Sequence, residues 1–299
     1  MAEISWMDRV RGRIQARIGL PFEHRVRAPL RRLRNASRSY RPIFVTGAAG
    51  GGTSVMAVAL AQRFDAAGLV YECDSQISHG SFLHVPPLSS YGSVAEYERR
   101  IAPDAAWSVE HGRHDVQQML RAYATGPGEA VVAKGPDIHL VRAAFLERCF
   151  PEAGFVAIVR DPAANLEGLR RKWPLFGRDR LEACIGFYRW IHESYLDQTA
   201  TFRERALVVD YADLVSRPAE TLAAVAERLG LQPARRRVRL PDAPNVEGPG
   251  IRNLRGNRVE MVTDADRRAR ARLTPEEAAA IDAALAPLRA RIAAETLRP

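Results

Sequence analysis

The sequence predicts an α/β domain built on a parallel, doubly wound sheet, and three observations predict it. Short apolar runs recur along the body, at 43–45, 69–73, 130–133, 155–159 and 206–209. Stretches of helical periodicity separate them, at 53–66, 108–124, 138–149, 163–172, 181–203 and 217–229. The first run leads directly into a glycine-rich turn and then an apolar helix, PIFVTGAAGGGTSVMAVAL. Strands that are apolar throughout need cover on both faces, and helices of this length between them supply it. In such a sheet the ligand crevice lies beyond the carboxyl ends of the strands. Chemistry is therefore expected in the loops after residues 45, 133 and 159.

Before the first strand, residues 1–40 read as a basic amphipathic arm. Trp6, Val10, Ile14 and Ile18 recur at four-residue spacing, with Arg9, Arg11, Arg13 and Arg17 between them. Such a helix fits an anionic membrane; it equally fits the body of the protein or a second copy, which would make a homodimer. Residues 41–299 read as one domain that closes with an arginine- and proline-rich segment and a helix at 273–296.

Composition narrows the setting. A chain of 299 residues that is 46% hydrophobic can bury a substantial core, which excludes a disordered protein. No apolar run approaches the roughly 20 residues of a membrane span, and the N-terminus lacks the apolar stretch of a secretory signal. The expectation is a cytoplasmic protein, peripheral to the inner membrane if the arm binds lipid. Cys73, Cys149 and Cys184 lie far apart without CxxC spacing, so they read as core residues and not as a disulfide or zinc framework. The net charge of +9 comes almost wholly from arginine, because Lys134 and Lys172 are the only lysines among 44 basic residues. That balance favours anionic partners. Nucleic acid is not among those expected, because aromatics are not interleaved with the arginines.

The turn is a phosphate cradle in kind. Gly47, Gly50, Gly51 and Gly52 let the backbone turn sharply and bring its N–H groups close to a ligand, while Thr53 and Ser54 open a helix whose N-terminus favours an anion. Thr53 stands where the NTPase loop GxxxxGK[ST] has the lysine that neutralises a triphosphate, which argues against a kinase or ATPase. A turn of this kind also serves packing alone. In FVAIVRDPAANLEGLRRKW a strand runs directly into Arg160, whose guanidinium suits a second phosphate; an Arg160–Asp161 pair is the structural alternative. Two anion sites on neighbouring strands suit a nucleoside phosphorylated at both ends.

At these residues the chain resembles the sulfotransferases. PIFVTGAAGGGTS is similar to their 5′-phosphosulfate loop, TGxPRSGTS in bacterial members, and FVAIVRDP to their 3′-phosphate motif. VVAKGPDIHLVRAAFLERCFPEAGF, LVVDYADLVSRPAETLAAVAERLGL and LTPEEAAAIDAALAPL resemble later family segments in the family's order. The resemblance implies a P-loop three-layer sandwich with a central parallel sheet. It also implies transfer of a sulfonate group from 3′-phosphoadenosine 5′-phosphosulfate (PAPS) to an acceptor hydroxyl or amine on a carbohydrate, lipid or small metabolite, leaving adenosine 3′,5′-bisphosphate (PAP). No metal is demanded. Gly52, Thr53 and Ser54 would take the 5′-phosphate, Arg160 the 3′-phosphate and Tyr211 the adenine, with Arg252, Arg255 and Arg258 in a lid over the donor or in a solvated loop.

Three positions depart from the family pattern: Gly50 replaces the Arg or Lys that assists the leaving group, Gly168 the 3′-phosphate serine, and Asp210 an arginine. Lys134 is the candidate to restore the lost charge. His139 and Asp74, with Glu72, His79 and His84, are candidates for the base that takes the acceptor proton, while His111, His114 and His192 read as ordinary helix residues. The departures leave a second reading open, a non-catalytic member that still binds nucleotide.

Overall fold

The computed structural model describes residues 27–70, 81–86, 88–234, 251–254, 258–261 and 265–298. Five strands form one all-parallel sheet: β1 (Arg41–Thr46), β2 (Ala66–Val70), β3 (Ala130–Lys134), β4 (Gly154–Val159) and β5 (Ala206–Asp210), in the order β2-β3-β1-β4-β5. Side chains alternate across a strand, so Phe44 enters one core while its neighbours Ile43 and Val45 enter the other. Both cores are apolar, which is why every strand residue from Pro42 to Thr46 is buried.

The two faces are covered by different helices. On the Ile43 face lie α2 (Thr53–Arg63) and the pair α10 (Tyr211–Ser216) and α11 (Pro218–Arg228). On the Phe44 face lie α3 (Val94–Ile101), α4 (Val109–Tyr123), α5 (Ile138–Val141), α6 (Ala143–Cys149), α7 (Pro162–Lys172), α8 (Pro174–Arg178), α9 (Leu181–Thr199) and α13 (Pro275–Glu295). The result is a three-layer α/β sandwich. A short helix α1 (Ala28–Arg34) precedes the sheet and packs on α4, where Arg31 Nε donates to the Ala122 carbonyl at 2.7 Å. The apolar stripe from Trp6 to Ile18 lies outside the described residues.

The elements differ from the periodicity reading at definable points. The second strand begins at Ala66, three residues early, with an irregular register between Ala66 and Gly68. The helix read over 217–229 is one helix, Pro218–Arg228, and a separate short helix, Tyr211–Ser216, stands directly before it; Pro218 disfavours helical geometry at Arg217, which sits at φ −133° and divides the two. The break between α5 and α6 falls at Arg142, a fully buried arginine that donates to the carbonyls of Ile101, Leu83 and Arg100 and stacks on Trp107. It ties the segment after β2 to the sheet. Cys149 and Cys184 are buried and reduced, in accord with a core role; Cys73 lies outside the described residues.

Beyond β5, an antiparallel hairpin of β6 (Ile251–Leu254) and β7 (Arg258–Met261) approaches α2. Then α12 (Ala265–Arg270) packs along α7, and α13 follows behind a capping box made by Thr274 and Glu277. Among the described residues no helix is long and apolar enough to cross a membrane.

Candidate functional site

The loops after β1, β3, β4 and β5 meet at one end of the sheet. The glycine turn between β1 and α2 is forced by its surroundings. Gly47 has φ 147°, and a Cβ there would stand 2.3 Å from the Ile158 carbonyl oxygen; Gly52 has φ 107°, and a Cβ there would stand 2.5 Å from the Tyr211 ring. Only glycine fits either place. Gly52 also caps α2 without a side-chain hydrogen bond, so the first N–H groups of this 11-residue helix face the crevice with no side-chain acceptor supplied at the cap.

Buried polar groups from two other loops hold the turn. Ala49 N–H donates to Asp137 Oδ1 at 2.7 Å, and Asp137 N–H donates to the Gly47 carbonyl at 2.9 Å. Asn165 Nδ2 donates to the Ala49 carbonyl at 3.1 Å. Asp137 is wholly buried and adopts φ 58°, a conformation that costs an ordinary side chain energy and that the surrounding contacts impose. Neither Asp137 nor Asn165 stands out in the sequence. The available signal is that each follows a strand end by a few residues, in KGPD and RDPAAN.

Arg160 leaves the end of β4 and is almost fully buried, its side chain 2% exposed. Its Nη1 donates to the Gly50 carbonyl at 2.9 Å and its Nε to Asp266 Oδ1 at 2.5 Å, while its Nη2 has no hydrogen-bond partner among the described residues. The guanidinium lies over the Tyr211 ring, 5.2 Å from the centroid. Tyr211 therefore touches both Gly52 of the turn and Arg160, while Arg160 itself reaches the turn at the Gly50 carbonyl. Arg160 does not pair with Asp161, which caps α7 and meets Arg270 instead.

The remaining predicted residues sort by burial. Lys134 ends β3 in register with Val45, two residues before Gly47, and is 3% exposed. His139 lies in the core, edge-on to Phe44 at 5.0 Å and against Gly135. Burial, with Arg142 and Lys134 nearby, pushes its imidazole down to about 3, so it is neutral and a weak base. The packing assigns it a structural place. Burial likewise holds His192 at about 4. Gly168 is buried on α7 with nothing within 4 Å of where a Cβ would be. At Gly50 a side chain would project toward Asn165 and Trp173, and the second lysine, Lys172, lies over that Trp173 ring at 4.5 Å. Thr53 is buried at the start of α2 and Ser54 beside it is half-buried. Asp210 caps α10 through Ala212 N–H at 2.7 Å, and partial burial, then Asp213, Asp266 and Asp161, raise its carboxyl. Glu72, Asp74, His79 and Arg255 lie outside the described residues, as do the side chains of Arg252 and Arg258.

A sequence model described as the sulfotransferase family matches residues 42–235, which take in the glycine turn, Lys134, Arg160 and Tyr211. The chain belongs to the sulfotransferase family. Among solved structures, the sulfotransferase domain of the Synechococcus PCC 7002 olefin synthase is 17% identical, with 83% of this chain and 96% of that one covered and a TM-score of 0.48. Sulfotransferase STF9 from Mycobacterium avium is 14% identical over 84% of this chain and 76% of that one, with a TM-score of 0.47. Mouse sulfotransferase SULT7A1 complexed with PAP is 13% identical over 84% and 86%, with a TM-score of 0.44. No curated protein matches the chain. As a sulfotransferase, the protein carries Gly50 within the matched region.

Proposed function

We propose that this sulfotransferase uses PAPS as donor and transfers its sulfonate to a hydroxyl or amine of an acceptor. The observation that carries the reading is Tyr211, an aromatic ring that meets both the glycine turn at Gly52 and a buried arginine with an unpaired Nη2. Two anion-binding groups and a ring suit a nucleoside phosphorylated at both ends. The turn and the N-terminus of α2, with Thr53 and Ser54, take the 5′-phosphosulfate; Arg160 takes the 3′-phosphate beside the open space at Gly168; Tyr211 forms a wall for the adenine.

The acceptor oxygen or nitrogen attacks sulfur in line, the bond from sulfur to the bridging phosphate oxygen breaks, and its electron pair leaves with the bisphosphate. Positioning and positive charge near that oxygen carry the rate. With glycine at position 50, Lys134 supplies that charge. Because the His139 imidazole is held neutral and inaccessible, the base that takes the acceptor proton belongs to the stretch that holds Glu72, Asp74, His79 and His84.

Calorimetric titration with adenosine 3′,5′-bisphosphate beside ATP and AMP tests the donor. Selective binding of the bisphosphate, weakened about a hundredfold or more in Arg160→Ala, supports it, and equal affinity for all three nucleotides sinks it. With labelled phosphosulfate, Lys134→Ala separates the roles: turnover lost with bisphosphate affinity kept places Lys134 at the leaving group. The competing reading, a nucleotide-binding member without transfer, draws on Gly50; it is the outcome in which the native chain binds the bisphosphate and no acceptor is sulfated.

A further inference from the structure

Arg160 is buried beside a carboxylate that the family pattern does not account for. Asp266, at the start of α12, accepts from Nε at 2.5 Å, yet the adjoining Nη2 is left unpaired. Nε and Nη2 form one edge of a guanidinium, the edge that a phosphate or sulfate occupies with two oxygens. Asp266 therefore half-occupies that edge.

The rim around it is acidic. Burial first, and then the neighbouring Asp213, Asp266 and Asp161, raise the Asp210 carboxyl. Asp266 is held in place by its helix, which is tied to α7 through Arg270 and Asp161 at 3.1 Å; just beyond that helix, Arg272 meets Glu167 at 2.5 Å. The Asp266 side chain itself is 30% exposed, so it can turn to water without moving the helix.

We propose that Asp266 is the selectivity filter of this anion site: it neutralises Arg160 when no ligand is bound and yields only to an anion delivered at high effective concentration. A tethered carboxylate competes at an effective concentration on the order of millimolar or more, so a free monoanion in solution does not displace it. A phosphate on a nucleotide whose other end already rests on the glycine turn is itself tethered, and it takes both N–H groups of the edge where Asp266 takes one. The filter thus admits ligands that reach both anion sites and keeps out free sulfate and inorganic phosphate, while a nucleotide that rests on the glycine turn alone does not meet it. The identity of the favoured ligand rests on the donor reading above; the competition at Arg160 does not.

The experiment is calorimetric titration of the full chain, its Asp266→Asn and Asp266→Ser variants, and an Asp266→Glu control, with adenosine 3′,5′-bisphosphate, AMP and inorganic sulfate. Each variant is first checked by thermal unfolding, and partial exposure of Asp266 makes folding of at least one neutral variant the expected result. The neutral variants bind the bisphosphate at least about tenfold more tightly, gain measurable sulfate binding that Arg160→Ala abolishes, and leave AMP unchanged; the glutamate control keeps the native selectivity. Neutral variants that bind the bisphosphate no more tightly and still exclude sulfate overturn the filter, whatever the native chain binds. If no form binds the bisphosphate but the neutral variants take up sulfate through Arg160, the filter stands and the donor reading falls.

Discussion

The two halves of the site are built with different physics. The glycine turn is held by backbone hydrogen bonds to Asp137 and Asn165, both buried, and by close contact with Ile158 and Tyr211. The Arg160 half is held by ion pairs between the β4–α7 region and the C-terminal segment: Arg160–Asp266, Asp161–Arg270, Glu167–Arg272 and Arg170–Glu277. Most of those side chains are partly exposed. A backbone cradle must keep its N–H groups in one geometry, and dry, buried contacts do that. An anion site must exchange its partner, and ion pairs at a wet rim can be exchanged at small cost.

The comparison breaks first at Gly47. Gly47→Ala forces a methyl group against the Ile158 carbonyl and a left-handed φ on a residue with a Cβ. The expected loss is about 3 kcal/mol of stability, read by chemical denaturation, together with loss of nucleotide binding. The loss should be unchanged by salt, since no charge is involved; a variant as stable as the native chain would show that the turn is softer than its contacts imply.

Asp137 sharpens the contrast within the dry half. Asp137→Ala leaves the Ala49 N–H without its buried acceptor, at a cost of about 2 kcal/mol, whereas Asp137→Asn keeps an acceptor and tolerates positive φ. Denaturation should rank them with asparagine close to the native chain. If asparagine is as damaging as alanine, the negative charge of Asp137 and not its hydrogen bond is what the turn requires.

What can be read from the sequence follows the same division. Strands buried on both faces are legible as continuous apolar runs, and a turn that only glycine can make is legible as glycines between a strand and a helix. Such patterns also show which residues stand at strand ends, Lys134 and Arg160 among them. What those residues touch is not legible. Ala49 meets Asp137 across 88 positions and Arg160 meets Asp266 across 106, and no local pattern encodes either contact. His139 shows the limit from the other side: its place five residues after Lys134 suggests chemistry, and only packing against Phe44 reveals a core residue. Likewise the periodicity reading starts a helix at 217 and misses the short helix Tyr211–Ser216 that stands directly before it.

The smallest expected effect lies at the rim, in Glu167. Its carboxylate accepts from Arg272 at 2.5 and 2.8 Å and from Arg171 at 3.0 Å. Burial works to raise this carboxyl, and the hydrogen bonds and charges of the two arginines outweigh it, so the folded value lies below the ordinary one. Folding therefore binds the proton less tightly than the unfolded chain does. The contribution is complete above the unfolded value of about 4.3 and is lost as pH falls through the lower folded value. Arg272 is 44% exposed, which limits the pair to roughly 1 kcal/mol. Glu167→Gln should cost about that much at neutral pH, less in about 0.5 M salt where exposed pairs are screened, and progressively less as acid takes the pH below the ordinary carboxylate range and through the lowered folded value. A cost that persists unchanged in salt and acid would mean that Glu167 holds α12 by shape and not by charge, and the rim would then be as rigid as the turn.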